Sequence, residues 1–497
     1  MDNMNAPSPA APSGAPAAPA GPSAGQVPDL MRIGPAQINT QMDVETDILE
    51  PVVFNEHFTR FRLQNKGILH SNSKLTFSCD VTNHTAGVCS FPLNVGVHAL
   101  IDRCVLKAGN KTICETSDFA HYASYQSTFI NPQHNKQREA LTTGRMMCRK
   151  WDYTSDSDVS AEKYTLDFGN EMDKRGLTAG NFTNDLPRFC VMEKGGGDSK
   201  NGDKTSPVFQ IAINDLFPFL KMNQLPLYMF KEDIDLELHY TAAHKRGTTK
   251  TDHTTNFKID QNQVSMIADY IYYPQEMMDA YANANSEMSF TYVDYRLNKR
   301  TITAVKDTSQ SVIQNVGGAG RVVNKLFYSL SADKTAGAAE LLPFNVYVSQ
   351  GVEVDRANAT AAARGVGTLS HNIRYNDNYL YPIDIDNRAR LFSNLAQAHG
   401  SNPFISKDEY SGEFDLITAE LVQGRSLKPA ADTKFTFVED RLNRNERVNS
   451  RGIEVYETWG QLPVNADDSD LNYTWRVWLE IVKMASLSNG VLTPVFA

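Results

Sequence analysis

The sequence predicts an all-β protein built as two consecutive β-sandwiches, and three observations lead there. Two distant segments alternate with a strict period of two. In residues 233–240, Ile234, Leu236, Leu238 and Tyr240 share one face, and Asp233, Asp235, Glu237 and His239 share the other. In residues 473–482, Tyr473, Trp475, Val477, Leu479 and Ile481 share a face. Successive strand side chains point to opposite sides, so such runs mark sheets with one packed and one more polar surface. The second observation is the many short strand candidates separated by long loops. The third is length: at 497 residues the chain exceeds what one hydrophobic core serves, which predicts two domains of roughly 200 residues or more.

Composition narrows the class. The chain is 41% hydrophobic and 21% charged, apolar enough to bury two cores and too apolar for general disorder. The net charge of −10 is spread over both halves without a long basic block, so direct sequence-specific nucleic-acid binding is not expected. The N-terminus lacks the layout of a secretory signal, and no stretch approaches ~18 uninterrupted apolar residues. A soluble protein made inside a cell, with no membrane span, is the expectation.

Taken in order, residues 6–28 are almost wholly Ala, Pro, Gly and Ser, with Arg32 the first cation. Proline fixes φ and donates no hydrogen bond, so residues 1–45 read as an extended arm, either an inert tail or a tether to a neighbouring subunit. Strand candidates follow at 52–54, 58–63 and 75–81. A hairpin joins 104–108 to 111–115 around Gly109-Asn110, a pair suited to the positive φ of tight turns. Residues 117–141 lack alternation and predict short helices within a long connection. Residues 195–203 are a Gly/Asp/Asn surface loop without the spacing of a phosphate-binding loop. The first half closes with strands at 208–213, 234–240 and 266–273 around an apolar segment, 216–230, broken by Pro218 and Pro226.

Between Pro274 and Asn285 the pattern turns helical, with Met277, Met278 and Tyr281 one turn apart, which predicts a connector. A strand at 289–297 then opens the second half, with Val293, Tyr295 and Leu297 on one face. Further strands are predicted at 322–330, 344–348, 373–375, 435–438, 453–458 and 473–482. The loops 333–339, 353–367 and 465–470 are long, and such loops carry function or contacts. This alternation of strands and loops indicates sandwiches or jelly rolls rather than α/β layers.

The usual hydrolase, nucleotide and calcium signatures are absent from the sequence. Asp384 and Asp386 lie two apart, which on a strand would place both carboxylates on one face and allow a divalent cation. Turn chemistry or helix capping ahead of Arg388–Phe392 is the reading preferred for them. Asp467, Asp468 and Asp470 read as a solvated loop. Arg441, Arg444, Arg447 and Arg451 alternate with Glu439, Asp440 and Glu446, a mixture that predicts ion pairing within or between subunits rather than a phosphate track. The six cysteines, Cys79, Cys89, Cys104, Cys114, Cys148 and Cys190, all fall in the first half and are expected as reduced core thiols. Cys104 and Cys114 flank the Gly109-Asn110 turn and are candidates to face each other across the hairpin. No catalytic residue, metal ligand or cofactor site is assigned.

Residues 372–392, Asn-Ile-Arg-Tyr-Asn-Asp-Asn-Tyr-Leu-Tyr-Pro-Ile-Asp-Ile-Asp-Asn-Arg-Ala-Arg-Leu-Phe, resemble the second jelly roll of double jelly-roll major capsid proteins. The likeness is to those of polinton-like viruses and virophages, in the lineage that includes adenovirus hexon. Residues 216–220 (Leu-Phe-Pro-Phe-Leu) and 225–230 (Leu-Pro-Leu-Tyr-Met-Phe), with the strand to Tyr240, resemble late strands of the family's first roll. The resemblance covers about residues 45–497. It implies two consecutive eight-stranded jelly rolls with short helices in inter-strand loops, divided as 46–274, a linker at 275–288, and 289–497.

It further implies a non-enzymatic major capsid protein of a double-stranded DNA virus. Three chains would form a homotrimeric, pseudo-hexameric capsomer that tiles an icosahedral shell. Neighbouring capsomers, penton proteins and minor capsid proteins would be partners, and the chain would reside in the virion capsid after assembly inside the host cell. Two alternatives stand beside this. One is a jelly-roll carbohydrate-binding protein or glycoside-acting enzyme, since one fold hosts many functions. A retaining glycosidase needs two carboxylates ~5 Å apart, for which Asp384 with another acid is the sole candidate. The other alternative is a minor capsid or vertex protein.

Overall fold

The computed structural model describes residues 42–82, 88–91, 95–123, 142–144, 147–151, 164–167, 191–194, 208–246, 248–249, 256–305, 308–332, 369–384, 423–426, 447–459 and 470–495. In the first half, eight strands carry the fold: β1 (Asp43–Leu49), β2 (Phe58–Leu63), β3 (Lys74–Phe77), β4 (Ile101–Ala108), β5 (Lys111–Ser117), β6 (Phe209–Ala212), β7 (Ile234–Tyr240) and β8 (Ser265–Tyr272). They form the body of two antiparallel five-stranded sheets, ordered β1-β8-β3-β6, with Ile68–Leu69 also paired to β8, and β2-β7-β4-β5, with Val53–Asn55 on the free edge of β2. In the second half the strands are β9 (Glu287–Ala304), β10 (Gln310–Gly317), β11 (Val323–Ala332), β12 (Leu369–Tyr375), β13 (Asn378–Tyr379), β14 (Gln423–Ser426), β15 (Ile453–Trp459) and β16 (Leu471–Ser488). Their sheets run β9-β16-β11-β14 and β10-β15-β12-β13.

Numbered within each half, both read 1-8-3-6 and 2-7-4-5. That order, with the chain crossing between sheets, is the eight-stranded jelly roll. The fold is therefore a double jelly roll, although the two halves show no convincing internal sequence repeat. Helix α1 (Gln275–Ala284) lies between β8 and β9.

Each roll closes over its own apolar interior. In the first, the Phe77 ring on β3 meets the Tyr240 ring on β7 edge-on, with centroids 6.5 Å apart, joining the two sheets. Phe61, Leu75, Leu236 and Met266 are buried around them. In the second, Trp475 on β16 reaches across to β15, beside buried Val312, Ile373, Val455 and Leu479. Each such side chain contributes about 1.5–3 kcal/mol on burial.

Two hairpins end in two-residue turns with positive φ at both positions. Asn376 (49°) and Asp377 (68°) join β12 to β13. Asn489 (54°) and Gly490 (83°) join β16 to β17 (Val491–Val495). These backbones match the right-handed strand twist, and Asn, Asp and Gly tolerate them.

Several expectations are corrected. The strand predicted at 75–81 is broken at Ser78 into β3 and Cys79–Thr82, which pair in different sheets, because the Ser78 carbonyl instead accepts from Asp260 N (3.0 Å). Strand β7 does not show one packed and one polar surface: Asp235 and Glu237 are buried as well. Its neighbours cover that face, with Arg62 pairing with Asp235 (3.0 Å) and Lys107 with Glu237 (2.6 Å). Segment 216–230 folds largely into short helical turns, including Pro218–Met222, where Pro218 sits at the helix start that its fixed φ suits. Strand β1 opens at Asp43. The short helices expected within 117–141 are met at 119–123, and 124–141 lie outside the described residues. The strands predicted at 344–348 and 435–438, the loops at 195–203, 333–339 and 353–367, and most of the arm lie outside the described residues.

Candidate functional site

The residues singled out by sequence do not converge. Asp384 is not on a strand. It follows β13 and accepts from Asn372 Nδ2 (2.7 Å) and Ser370 Oγ (2.9 Å), so it serves as turn chemistry that fastens the β13 segment back onto β12. Asp386 lies outside the described residues, as do Asp467, Asp468, Arg441 and Arg444, while Asp470 is exposed. Arg451 pairs with Asp377 (2.8 Å) within the chain, and Arg447 is exposed. Among the described residues no three His, Cys, Asp or Glu side chains gather to hold a metal ion.

The expected facing of Cys104 and Cys114 is corrected by register, for Cys104 stands opposite Thr116 and Leu106 opposite Cys114. Both are buried thiols outside any disulfide, as is Cys79. Cys104 Sγ donates to the Leu216 carbonyl (3.0 Å), and burial pushes both thiols upward in pKa, so they sit as inert thiols in the core.

What the fold does assemble is a seam between the rolls, from residues that no local motif marks. Strand β5, the helical turn 119–123 and helix Pro218–Met222 bring the first roll's side. Strands β9, β16 and β17 bring the second's. At one end Phe219 packs on Phe290 and Tyr292 (centroids 5.6 and 5.0 Å), and Tyr292 OH donates to the Ile113 carbonyl (2.7 Å). In the middle the Glu115 amide donates to Asp294 (3.0 Å), which also binds Lys483. At the other end Tyr122 packs against Tyr295 (4.6 Å) and Trp478 (6.4 Å). Backbone contacts add to this, with Lys231 N donating to Gly490 O (2.9 Å).

Asp118 is the polar centre of the seam. Its φ of +52° turns the chain away from β5 and aims the carboxylate at the second roll. There it accepts from Arg476 Nε (2.7 Å) and pairs with Lys299 Nζ (2.6 Å). Burial alone would raise its pKa, but the ion pairs with Arg476 and Lys299 outweigh that and hold it well below the usual carboxylate range. His121 lies beside it, and burial together with the Arg476 charge drives its pKa well down, so the ring is neutral at neutral pH. For Asp294, burial outweighs Lys483 and raises the carboxyl.

Asp118, Asp294 and Arg476 are only 6%, 7% and 7% exposed, so they hold the rolls together rather than meet a substrate. Sequence reasoning missed this set because Asp118 and Arg476 stand 358 residues apart, and Arg476, although inside the alternating run 473–482, lies on the face opposite its apolar set.

A second buried acid, Glu457, lies inside the second roll and accepts from the Trp475 indole (2.6 Å). Burial pushes its pKa up to about 8, against the pull of that hydrogen bond. In register it stands opposite His371 on β12 and Val312 on β10. This cluster joins the two sheets of the roll from within.

No family model matches the sequence, and no curated protein matches it. Solved structures do match in fold. The chain is similar to the mavirus major capsid protein, with 11% identity and a TM-score of 0.51, covering 97% of each chain. It is similar to a chain of the PBCV-1 virus capsid, with 11% identity and a TM-score of 0.52, over 92% of this chain and 97% of that one. A chain of the Sputnik virophage matches at 11% identity and a TM-score of 0.50, over 96% and 94%. The likeness is one of fold, and it runs nearly end to end through both rolls.

Proposed function

We propose that this chain is the major capsid protein of a double-stranded DNA virus, with three copies forming a pseudo-hexameric capsomer that tiles an icosahedral shell. The observation that carries the reading is the repeated strand order, 1-8-3-6 with 2-7-4-5 in both halves, locked into one unit by a buried seam. Solved structures with which it shares that fold end to end include a virophage major capsid protein. A rigid pair of equivalent rolls is the form a building block needs, since three such pairs supply six similar units around one axis.

On this reading the two rolls run from β1 to β8 and from β9 onward, joined by a linker that holds α1, and the arm before β1 serves contacts with neighbours. The protein works by packing rather than catalysis. Its partners are copies of itself, adjacent capsomers, and penton and minor capsid proteins, and its place is the virion capsid after assembly inside the host cell. It makes no direct sequence-specific contact with nucleic acid.

Light scattering on the purified protein, with negative-stain images, tests the proposal. A native mass of three chains and a hexagonal outline is the expected result. A monomer at every concentration, or one that cleaves glycans, would overturn it.

A further inference from the structure

The seam has two unlike ends. One is apolar, where Phe219, Phe290 and Tyr292 pack together. The other gathers ionisable groups, and its anchor on the first roll is the single turn 118–123 that leaves β5. Asp118 in that turn binds Arg476 (2.7 Å) and Lys299 (2.6 Å), and Tyr122 packs against Tyr295 and Trp478. His121 lies in the same turn and is only 8% exposed.

Charged and titratable groups reach this turn from every side. Arg476 on β16 and Lys299 on β9 face His121 from the second roll, and Lys245, at the end of the helical turn Ala243–Lys245, faces it from the first. The Asp102 side chain on β4 hydrogen-bonds that of Asp118. His98, in the helical turn Gly96–Leu100, packs its ring on Phe119 (5.8 Å). Beyond Tyr122, the Tyr295 hydroxyl donates to Glu480 (3.3 Å). Three cations thus converge on the imidazole, and the carboxylate beside it is already shared between two of them. A proton on His121 adds a fourth positive charge where little water can screen it.

We infer that the turn 118–123 is an acid-sensitive latch between the rolls: protonation of His121 releases it from β9 and β16, while the Phe219 end stays closed as the pivot. The latch is a property of the single chain, so it goes beyond the capsid reading and does not depend on it. In the closed seam burial, then the Arg476 charge, keep His121 neutral. Once the turn is released it is an ordinary histidine that binds a proton below about pH 6.5. Release is therefore favoured as pH falls through that value, by at most about tenfold per pH unit for one proton. Asp102 acts in the opposite sense. Burial and Asp118 raise its carboxyl, so the closed seam holds that proton more firmly and offsets part of the release. Asp118, held low, joins His121 only below the ordinary carboxylate range.

Hydrogen exchange on the full chain between pH 7 and pH 5 tests the latch. Corrected for the intrinsic rate, protection at 118–123 is expected to fall several-fold from pH 6 to pH 5, while the amides of the central strand β7 keep theirs. His121→Gln, which takes up no proton, is expected to hold protection level across that range. Asp102→Asn removes the opposing group and is expected to steepen the fall, which keeps the latch testable if the buried site rejects glutamine. His98→Gln is expected to leave the fall as it is in the unaltered protein. Three results overturn the latch: protection at 118–123 that ignores pH in the unaltered protein, an equal loss in β7, or a fall that persists in a folded His121→Gln.

Discussion

Glu457 is a carboxyl group whose folded pKa, about 8, stands above its ordinary value of 4.5 because it is buried. The folded state therefore holds a proton that the unfolded chain gives up, so stability is full below pH 4.5 and falls as pH rises to about 8. The linkage is on the order of 5 kcal/mol across that window. Thermal melts are expected to show a falling Tm between pH 5 and pH 8, and Glu457→Gln, which keeps an acceptor for the Trp475 indole, is expected to flatten that slope. An equal slope in both proteins would show that Glu457 is not its source. Asp118 has the opposite sign. Its depressed pKa adds stability above the unfolded carboxylate range, which is lost as pH falls, and His121, held neutral, adds a loss that begins below about pH 6.5. Asp118→Asn keeps a residue that tolerates positive φ but leaves buried Arg476 without its counter-charge. A loss of about 3–5 kcal/mol in denaturant unfolding is expected at neutral pH.

At the scale of elements, turns and edge strands carry most of the information that pattern reading passes over. The Asn489-Gly490 turn joins β16 to β17 with both residues at positive φ. A Cβ at Gly490 would lie 2.7 Å from Lys231 Cγ and 3.0 Å from the Met229 carbonyl oxygen. Gly490→Ala is therefore expected to cost more than 1 kcal/mol, through the backbone and through the contact with the first roll, and a lowered Tm would register it. The interior faces of β7 and β16 were legible because a central strand turns alternate apolar residues to the core, although on β7 the opposite face is covered too. Strands β1 and β10 were not: β1 turns Val44 and Ile48 outward, and β10 does the same with Ile313, 64% exposed. Polarity stops reporting the inner face where an edge strand exposes apolar side chains. The fresh strand at 289–297 was found, but its Val293–Tyr295–Leu297 face turns out to be the outer one, half-buried, with Tyr295 packed on Tyr122 of the other roll.

At the scale of the molecule, the apolar interior runs without a break from one roll to the other through Phe219, Phe290 and Tyr292. The rolls are therefore expected to unfold together, with one calorimetric transition rather than two, and a resolved second transition would show that the seam is weaker than its contacts indicate. Strand periodicity, the run of short strands between loops, and chain length were enough, by themselves, to determine an all-β chain of two sandwiches, because alternation is a local property set by the geometry of each strand. Asp118, His121, Lys299 and Arg476 were decided only by the tertiary structure. So was the repeated strand order that makes the two halves equivalent. Both depend on contacts between residues hundreds of positions apart, where no local pattern constrains which side chain meets which.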